Sequence, residues 1–192
     1  MPRKRLRPTP KLKAVPETME RDHLNLLCNV NELSSLLAGS ADVDTFLQRT
    51  VDMVADHIRA DVCSIYMFTE SRGELYLRAT HGLNPDKVNE VRLGLGEGLV
   101  GLCLESRRPV CEQKASENPH FKAVKGLDEE KYESFLAVPI QRGSERIGVL
   151  VAQRREEDNF NESDVLALQA TASQLAGMIE NARILLSFHE QA

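Results

Sequence analysis

The chain has 192 residues, of which 42% are hydrophobic and 28% are charged, as is typical of one globular domain with short extensions. This composition excludes a disordered or fibrous chain, and no run of 18 apolar residues is present to span a membrane. We therefore expect a cytoplasmic protein with reduced thiols at Cys28, Cys63, Cys103 and Cys111. No CxxC pair occurs among these cysteines, so we expect neither a metal site nor a cofactor.

The charge is distributed unevenly. Residues 1–16 contain six basic residues, four prolines and no acid, which leaves 18 basic and 29 acidic residues in the remainder. We interpret 1–16 as a disordered basic tail, with an arm that contacts nucleic acid as the alternative. Because the body is acidic, we do not expect it to bind nucleic acid.

Two helices are predicted first in chain order. Residues 17–39 form the first, because apolar residues recur there at helical spacing: Leu26, Val30, Leu33 and Leu37. Gly39 and Ser40 end this helix. A second helix begins near Asp42, with apolar residues on one side up to Ile58.

The periodicity then changes to that of β-strands. The runs 62–68 and 74–80, separated by a turn at 70–73, predict an antiparallel hairpin. A shorter strand is expected at 88–93. Two further runs, 135–140 and 147–152, are nearly continuous in apolar residues and predict central strands that are covered on both faces.

The remaining elements connect and close this sheet. A glycine-rich turn at 94–98 precedes a short helix at 99–104, a short strand at 109–111 and a polar loop at 113–133. A long helix at 162–188 closes the domain, with Asn161 and Asp164 as a capping-box variant and Phe160 and Val165 as a hydrophobic staple. The fold class is therefore α+β, with a mainly antiparallel sheet of five or six strands.

The order of several short motifs resembles a GAF domain over about residues 40–188. The motifs are Gly96-Glu-Gly-Leu-Val-Gly101, Arg108-Pro-Val110, Asn118-Pro-His-Phe121, Phe135-Leu-Ala-Val-Pro-Ile140 and Ile147-Gly-Val-Leu-Val151. The resemblance implies a domain at 40–192 in which the N- and C-terminal helices pack on one face of the sheet. The short helix and the 113–133 loop, as a lid, would cover the other face.

Within this family the chain is similar to the N-terminal sensory domain of the nitrogen-branch phosphoenolpyruvate–protein phosphotransferase. The segments that carry this similarity are 60–66, 79–83, 98–101, 119–122, 135–140 and 149–154. The resemblance implies a bacterial regulatory module that has no catalysis of its own. Its partner would be a phosphotransferase domain, either C-terminal to it or separate.

The long C-terminal helix carries a strict 3.5-residue repeat. Its apolar positions include Leu168, Leu175, Ile179 and Leu186, and the stripe in 17–39 echoes them. This repeat could simply cover the sheet, but it favours a helix bundle between two subunits. We therefore predict a homodimer.

A small-molecule pocket is expected under the lid, on the face opposite the long helices. The side chains expected to converge there are Met67, Tyr76, Arg78, Leu102, Cys103, Cys111, His120, Phe121, Phe135 and Ala137. The positive character of Arg78 and His120, with free backbone N–H groups at Gly96 and Gly98, favours an anionic ligand. The alternative is that Met67, Phe121 and Phe135 fill this space themselves.

Two other functions stay open at this point. Some GAF domains reduce free methionine-(R)-sulfoxide with a set of cysteines, and Cys103 lies near the position of one of them. The lid contains no cysteine to act as a resolving thiol. A stand-alone GAF adaptor that binds only partner proteins is the other alternative.

Overall fold

The structure is a computed structural model that describes residues 43–155 and 160–189, with side chains up to Asn181. The predicted tail at 1–16 and the predicted helix at 17–39 lie outside the described residues. Three helices are described: α1 (Val43–Ile58), α2 (Gly98–Ser106) and α3 (Glu162–His189). None of them combines the length and the hydropathy that a membrane span requires.

Six strands form one antiparallel sheet in the order β3-β2-β1-β6-β5-β4. The strands are β1 (Val62–Thr69), β2 (Glu74–His81), β3 (Arg92–Gly94), β4 (Val110–Glu112), β5 (Ser134–Arg142) and β6 (Glu145–Arg154). This arrangement confirms the predicted α+β class. The strand expected at 88–93 is shorter than predicted, because a 3-10 helix at Pro85–Lys87 and a turn occupy the segment before Arg92.

The sheet separates two hydrophobic layers. The helix side is formed by α1 and α3 against residues such as Ile65, Leu136 and Leu150. The lid side is formed by α2 and the 113–133 loop against residues such as Tyr66 and Val149. Because successive side chains of a strand point to opposite faces, β1 and β6 contribute to both layers, which explains their continuous apolar sequence.

The two long helices run alongside the strands in opposite directions. Arg154, at the end of β6, donates from Nη2 to the carbonyl of Ile58 at the end of α1, at 2.6 Å, and pairs with Asp164 at the start of α3. Glu180, late in α3, pairs with Arg142 at the other end of the sheet. The start of α1 and the end of α3 therefore lie toward the same end of the domain.

The beginning of α3 has the capping geometry that the sequence predicts. The backbone N–H of Asp164 donates to Asn161 Oδ1, and the backbone N–H of Asn161 donates to Asp164 Oδ2, both at 3.0 Å. Phe160 and Val165 both pack in the helix-side core, as a hydrophobic staple requires. These contacts fix where α3 starts on the sheet.

The heptad positions of α3 pack within one chain. Leu168 and Leu175 are fully buried, and Ile179 is 5% exposed, all in the helix-side core. The stripe therefore covers the sheet over this length, and these three residues are not free to form a seam between subunits. The side chain of Leu186 lies outside the described residues.

Candidate functional site

The lid side of the sheet is the face on which the sequence predicts a pocket. Four of the ten expected lining residues belong to it. Cys103 is fully buried on α2, while Phe135 and Ala137 project from β5 into the same cluster, against which Phe121 of the lid packs. Leu102 is half-buried next to Cys103 on α2 but is not part of this cluster.

Four of the other expected lining residues lie on the helix side, which corrects the expectation that all ten converge. Met67 and Tyr76 belong to the helix-side core. Arg78 pairs with Asp44 of α1 at 2.5 Å, so it also faces the helices. Cys111 lies directly opposite Leu136, a residue of the helix-side core, and opposed residues of an antiparallel pair share a face.

The tenth residue, His120, lies on the outer surface of the lid. Its side chain is exposed, and its backbone N–H donates to Asn118 Oδ1 at 2.8 Å. Asn118 in turn donates from Nδ2 to Glu112 Oε1 at 2.7 Å, which ties the lid to β4. The geometry therefore gives this segment a turn-forming role.

Side chains of the lid fill the space beneath it. Leu127 and Tyr132 are 1% and 3% exposed, and both pack in the lid-side cluster. The Tyr132 hydroxyl donates to the Gly82 carbonyl at 3.2 Å, and Asn84 Nδ2 donates to the Gly126 carbonyl at 3.2 Å. The lid is thus closed over the sheet, so a ligand would reach this layer only after the lid moves.

The glycine-rich turn before α2 already accommodates an acidic side chain. Glu97 Oε2 accepts from the Gly94 N–H at 2.6 Å, and Glu97 Oε1 pairs with Lys122 of the lid. The Gly94 hydrogen bond and the Lys122 contact lower the pKa of Glu97, which keeps this carboxylate ionised. The Glu97 carboxylate therefore occupies the anion position of this turn, and its pair with Lys122 links the lid to α2.

The glycines of this turn are required for conformation and packing. Gly96 and Gly98 have φ angles of +79° and +65°, which glycine adopts at low cost. A Cβ at Gly101 would lie 2.5 Å from the Gly94 carbonyl oxygen, so α2 packs against the turn through this glycine. Residues 96–101 have the GxGxxG spacing that is typical of dinucleotide-binding βαβ units. Here the strand before the turn, β3, pairs antiparallel to β2, so the turn is not part of such a unit.

A buried carboxylate in the lid was missed by the sequence prediction. Glu129 is 9% exposed, and its Oε1 accepts from the Val124 N–H at 2.8 Å. Desolvation raises its pKa to about 7, and the neighbouring charge of Glu130 adds to this effect. A glutamate in a polar loop gives no sequence signal for burial, because only the folded lid encloses it.

Cys103 and Cys111 do not form a redox pair. Cys103 lies on the lid side and Cys111 on the helix side, so the sheet stands between them. Burial raises the pKa of Cys103 to about 12, so almost none of it is thiolate at neutral pH. These two observations remove the support that the cysteines gave to sulfoxide reduction.

His81 carries a contact that its sequence position did not predict. Its Nδ1 lies 2.9 Å from Asp52 Oδ1 of α1, and Gln48 Nε2 donates to the same carboxylate oxygen at 3.2 Å. Cys63 lies opposite His81 in the ladder but is fully buried, and burial raises the pKa of its thiol. The contacts of His81 and Gln48 with Asp52 tie α1 to β2.

In the part of the chain that the structure describes, no three His, Cys, Asp or Glu side chains are grouped to hold a metal ion.

Comparison with known proteins decides the family. The sequence profile of the GAF domain family matches residues 42–179. The chain belongs to the GAF domain family. The lid side described above is therefore the α2 and loop face of a GAF domain, and the helix side carries its flanking helices.

Individual relatives of this GAF domain include phosphotransferase proteins. A protein of Salmonella typhimurium, described as "Phosphoenolpyruvate-dependent phosphotransferase system", is 30% identical over 163 residues, which are 85% of this chain and 22% of that protein. The chain thus spans about a fifth of the curated relatives that it matches first.

Solved structures with a similar fold include another phosphotransferase GAF domain. The GAF domain from a phosphoenolpyruvate-protein phosphotransferase of Coxiella burnetii has a TM-score of 0.76 and 32% identity, covering 86% of this chain and 98% of that one. A free methionine-R-sulfoxide reductase from Neisseria meningitidis has a TM-score of 0.70 at 20% identity, covering 90% and 96% of the two chains. The second likeness shows the fold alone.

Proposed function

We propose that this chain is the sensory and regulatory GAF module of a nitrogen-branch phosphoenolpyruvate–protein phosphotransferase that acts in the cytoplasm. The observation that carries the proposal is the similarity over 163 residues to proteins in which this region occupies 22% of the length. In such a protein the phosphotransferase chemistry belongs to the remaining part. The GAF module would change the rate of that chemistry without performing any of it.

The arrangement of the helices supports relay of a signal. The start of α1 and the end of α3 lie toward the same end of the domain, and α3 continues for nine residues beyond Glu180. At 1.5 Å per residue, this extension is roughly 14 Å long. The segments that connect to the start of α1 and to the end of α3 therefore attach toward the same end of the domain. A change in the packing of either helix on the sheet would move both of them.

We also propose that the module forms a homodimer, through a part of the contacts first expected. Leu168, Leu175 and Ile179 are used in the core of one chain. The seam would consist of the predicted helix at 17–39, with its stripe from Leu26 to Leu37, and the end of α3 near Leu186. Both segments carry the apolar spacing of a helix bundle.

The ligand site of this proposal is the lid-side layer around Cys103, Phe121, Phe135 and Ala137. Binding requires the lid to open, which breaks the Lys122–Glu97 pair and exposes Glu129. We do not expect an anionic ligand in this layer, because Arg78 lies on the other face of the sheet and Glu97 already occupies the turn. A ligand would instead be selected by the mainly apolar layer beneath the lid.

The proposal is tested with a chimera. In the Salmonella relative, the matching 163 residues are replaced by this chain, and phosphoryl transfer from phosphoenolpyruvate to a histidine phosphocarrier protein is measured. We expect a severalfold change in rate with at least one compound from a panel of nucleotides, amino acids and 2-oxoacids. A truncated enzyme without the GAF domain is the control. A chimera whose rate equals that of the truncated enzyme under every compound would contradict the proposal.

A further inference from the structure

A groove lined mostly by polar and charged residues lies on the helix side, between the first turns of α1, strand β2 and the turn that precedes β3. Its volume is about 380 Å³, within the range of small-molecule sites. The residues that line it are Asp44, Thr45, Gln48, Arg49, Arg78, Val88 and Asn89. The lid layer is on the opposite face of the sheet, so the groove is a separate feature.

Two arginines from different elements face this groove. Arg78 is held in place, because Nη2 contacts Asp44 at 2.5 Å and Nη1 donates to Asn89 Oδ1 at 2.9 Å. Arg49 is exposed on α1, and no described residue forms a hydrogen bond or an ion pair with it. One guanidinium group is thus oriented, and the other is available to a ligand.

Two other side chains of the lining can donate to a ligand that carries oxygen atoms, Thr45 through its hydroxyl and Asn89 through Nδ2. Thr45 shares one face of α1 with Arg49, at positions i and i+4. Gln48 lies on the same face, but its Nε2 already donates to Asp52 and to the Thr80 carbonyl. Asn89, with its φ of +64°, presents its amide side chain from the opposite wall. Val88 supplies the one apolar side chain of the lining.

Arginines outnumber carboxylates around the groove. Its own lining has Arg49 and Arg78 against Asp44. A second depression of about 150 Å³ adjoins Tyr76, two residues before Arg78 on the same strand, and is lined by Arg72 and Arg92 against Glu74. Arg92 stacks over the Tyr76 ring, with Cζ 4.9 Å from the ring centroid. The chain has a net charge of −5, so this concentration of arginines is a local positive region.

We propose that the groove binds a small oxyanion, a carboxylate or a phosphate, between Arg49 and Arg78. Guanidinium groups bind both of these anions through paired N–H donors, and such charge-assisted hydrogen bonds are stronger than neutral ones. The site is independent of the ligand layer under the lid and does not rest on the proposed function. An anion bound there would contact the first turns of α1. It could therefore change how this helix, which follows the N-terminal segment, packs on the sheet.

The test is a titration of the full chain with inorganic phosphate and, separately, with succinate. Binding is followed by isothermal calorimetry at low ionic strength, because salt screens exposed charges. We expect saturable binding of at least one of the two ions. The Arg49→Gln variant should bind it roughly tenfold more weakly, which is the loss of one charge-assisted contact. The tighter of the two ions identifies the source as phosphate or carboxylate.

Arg108→Gln is the matched control, because Arg108 is an exposed arginine beside β4, at the opposite edge of the sheet. It should bind as the unchanged chain does. Arg78→Gln tests the second arginine of the proposed site. Circular dichroism confirms that the fold of this variant is retained after loss of the Asp44 pair. Equal affinity in Arg49→Gln, or binding of neither ion, would overturn the proposal. So would a response to polyglutamate alone, since that marks a protein-docking surface.

Discussion

Arg154 and Asp164 join the two long helices to one end of the sheet. Their side chains are 13% and 10% exposed and meet at 3.4 Å, Nη2 to Oδ2. The same Arg154 nitrogen donates to the carbonyl of Ile58, and the same Asp164 oxygen accepts from the Asn161 N–H. The end of α1 and the start of α3 are therefore fixed by one shared pair.

Asp164→Ala tests this relationship. The substitution removes the capping acceptor of α3 and the Asp164 carboxylate that pairs with Arg154, so we expect a loss of about 1–3 kcal/mol in the free energy of unfolding. Urea denaturation followed by circular dichroism measures it. Glu162→Ala, in the same first turn but exposed, is the control and should change stability by under about 0.5 kcal/mol. Equal losses in the two variants would show that the pair has no special role.

The lid should lose stability as the pH rises, because of Glu129. Its pKa is about 7 in the folded chain against an ordinary glutamate value of 4.5, so the folded state holds the proton more tightly than the unfolded state. The free energy of unfolding then decreases between about pH 4.5 and pH 7, by roughly 3 kcal/mol at 1.36 kcal/mol for each unit.

Glu129→Gln should remove this part of the pH dependence and raise stability at pH 8, because a neutral amide replaces the ionised carboxylate. Unfolding curves at pH 5 and pH 8 measure the difference for both proteins. Glu130→Gln, its exposed neighbour, is the control and should retain most of the slope. A variant at Glu129 with an unchanged slope would refute the assignment.

Assembly and folding can be separated on the two ends of α3. Ile179→Glu places a charge in the core of a single chain, so we expect it to unfold or strongly destabilise the domain. Leu186→Glu and Leu33→Glu should instead give a folded monomer, if the unchanged chain is a dimer. Analytical ultracentrifugation with circular dichroism distinguishes these results. A monomeric unchanged chain at about 100 μM would contradict the dimer.

The thiols should show the reactivity that their positions imply. In a Cys28→Ser background, we expect a thiol reagent to label the exposed Cys111 in the folded chain. The buried Cys63 and Cys103 should react only after unfolding. Mass spectrometry of the labelled peptides measures this order. We also expect no reduction of methionine sulfoxide, and a turnover that is abolished by Cys103→Ser would restore that function as a candidate.

Two glycines in helices should respond in opposite ways to alanine. At Gly101 a Cβ would lie 2.5 Å from a backbone oxygen, so Gly101→Ala should destabilise the α2 turn. At Gly177 the added Cβ would meet no atom within 4 Å, and alanine should stabilise α3 by about 0.5–1 kcal/mol. Thermal unfolding of both variants measures the signs. Stabilisation by Gly101→Ala would contradict the packing described for the turn.

Local chemistry in the sequence determined the elements and their order. The exchange of hydrogen bonds between Asn161 and Asp164 needs only residues three apart, so the start of α3 could be predicted from the chain. The turns at Gly73 and Gly143 and the alternation in β2 are equally local. The order of these elements was enough to predict the α+β class, and the short motifs within them carried the resemblance to a GAF domain.

Which side of the sheet each residue faces was decided by the tertiary structure. Alternation places Tyr76 and Leu77 on opposite faces but does not say which face the helices cover. An irregularity adds to this, because Ile65 pairs with Ala79 and Tyr66 with Leu77, so that Arg78 is an extra residue in β2. A bulge of this kind shifts the alternation beyond it, and the sequence pattern carries no separate mark of it.

The heptad stripe shows the same division between local and tertiary information. A straight helix drifts by about 20° per heptad from a 3.5-residue repeat, so over three heptads the stripe stays within one broad apolar face. The sequence therefore determined that α3 has a face to bury, from Leu168 through Ile179. Only the packed sheet decided that this chain's own β5 and β6, and not a second subunit, cover that face, because burial depends on which surface lies nearest once the chain has folded.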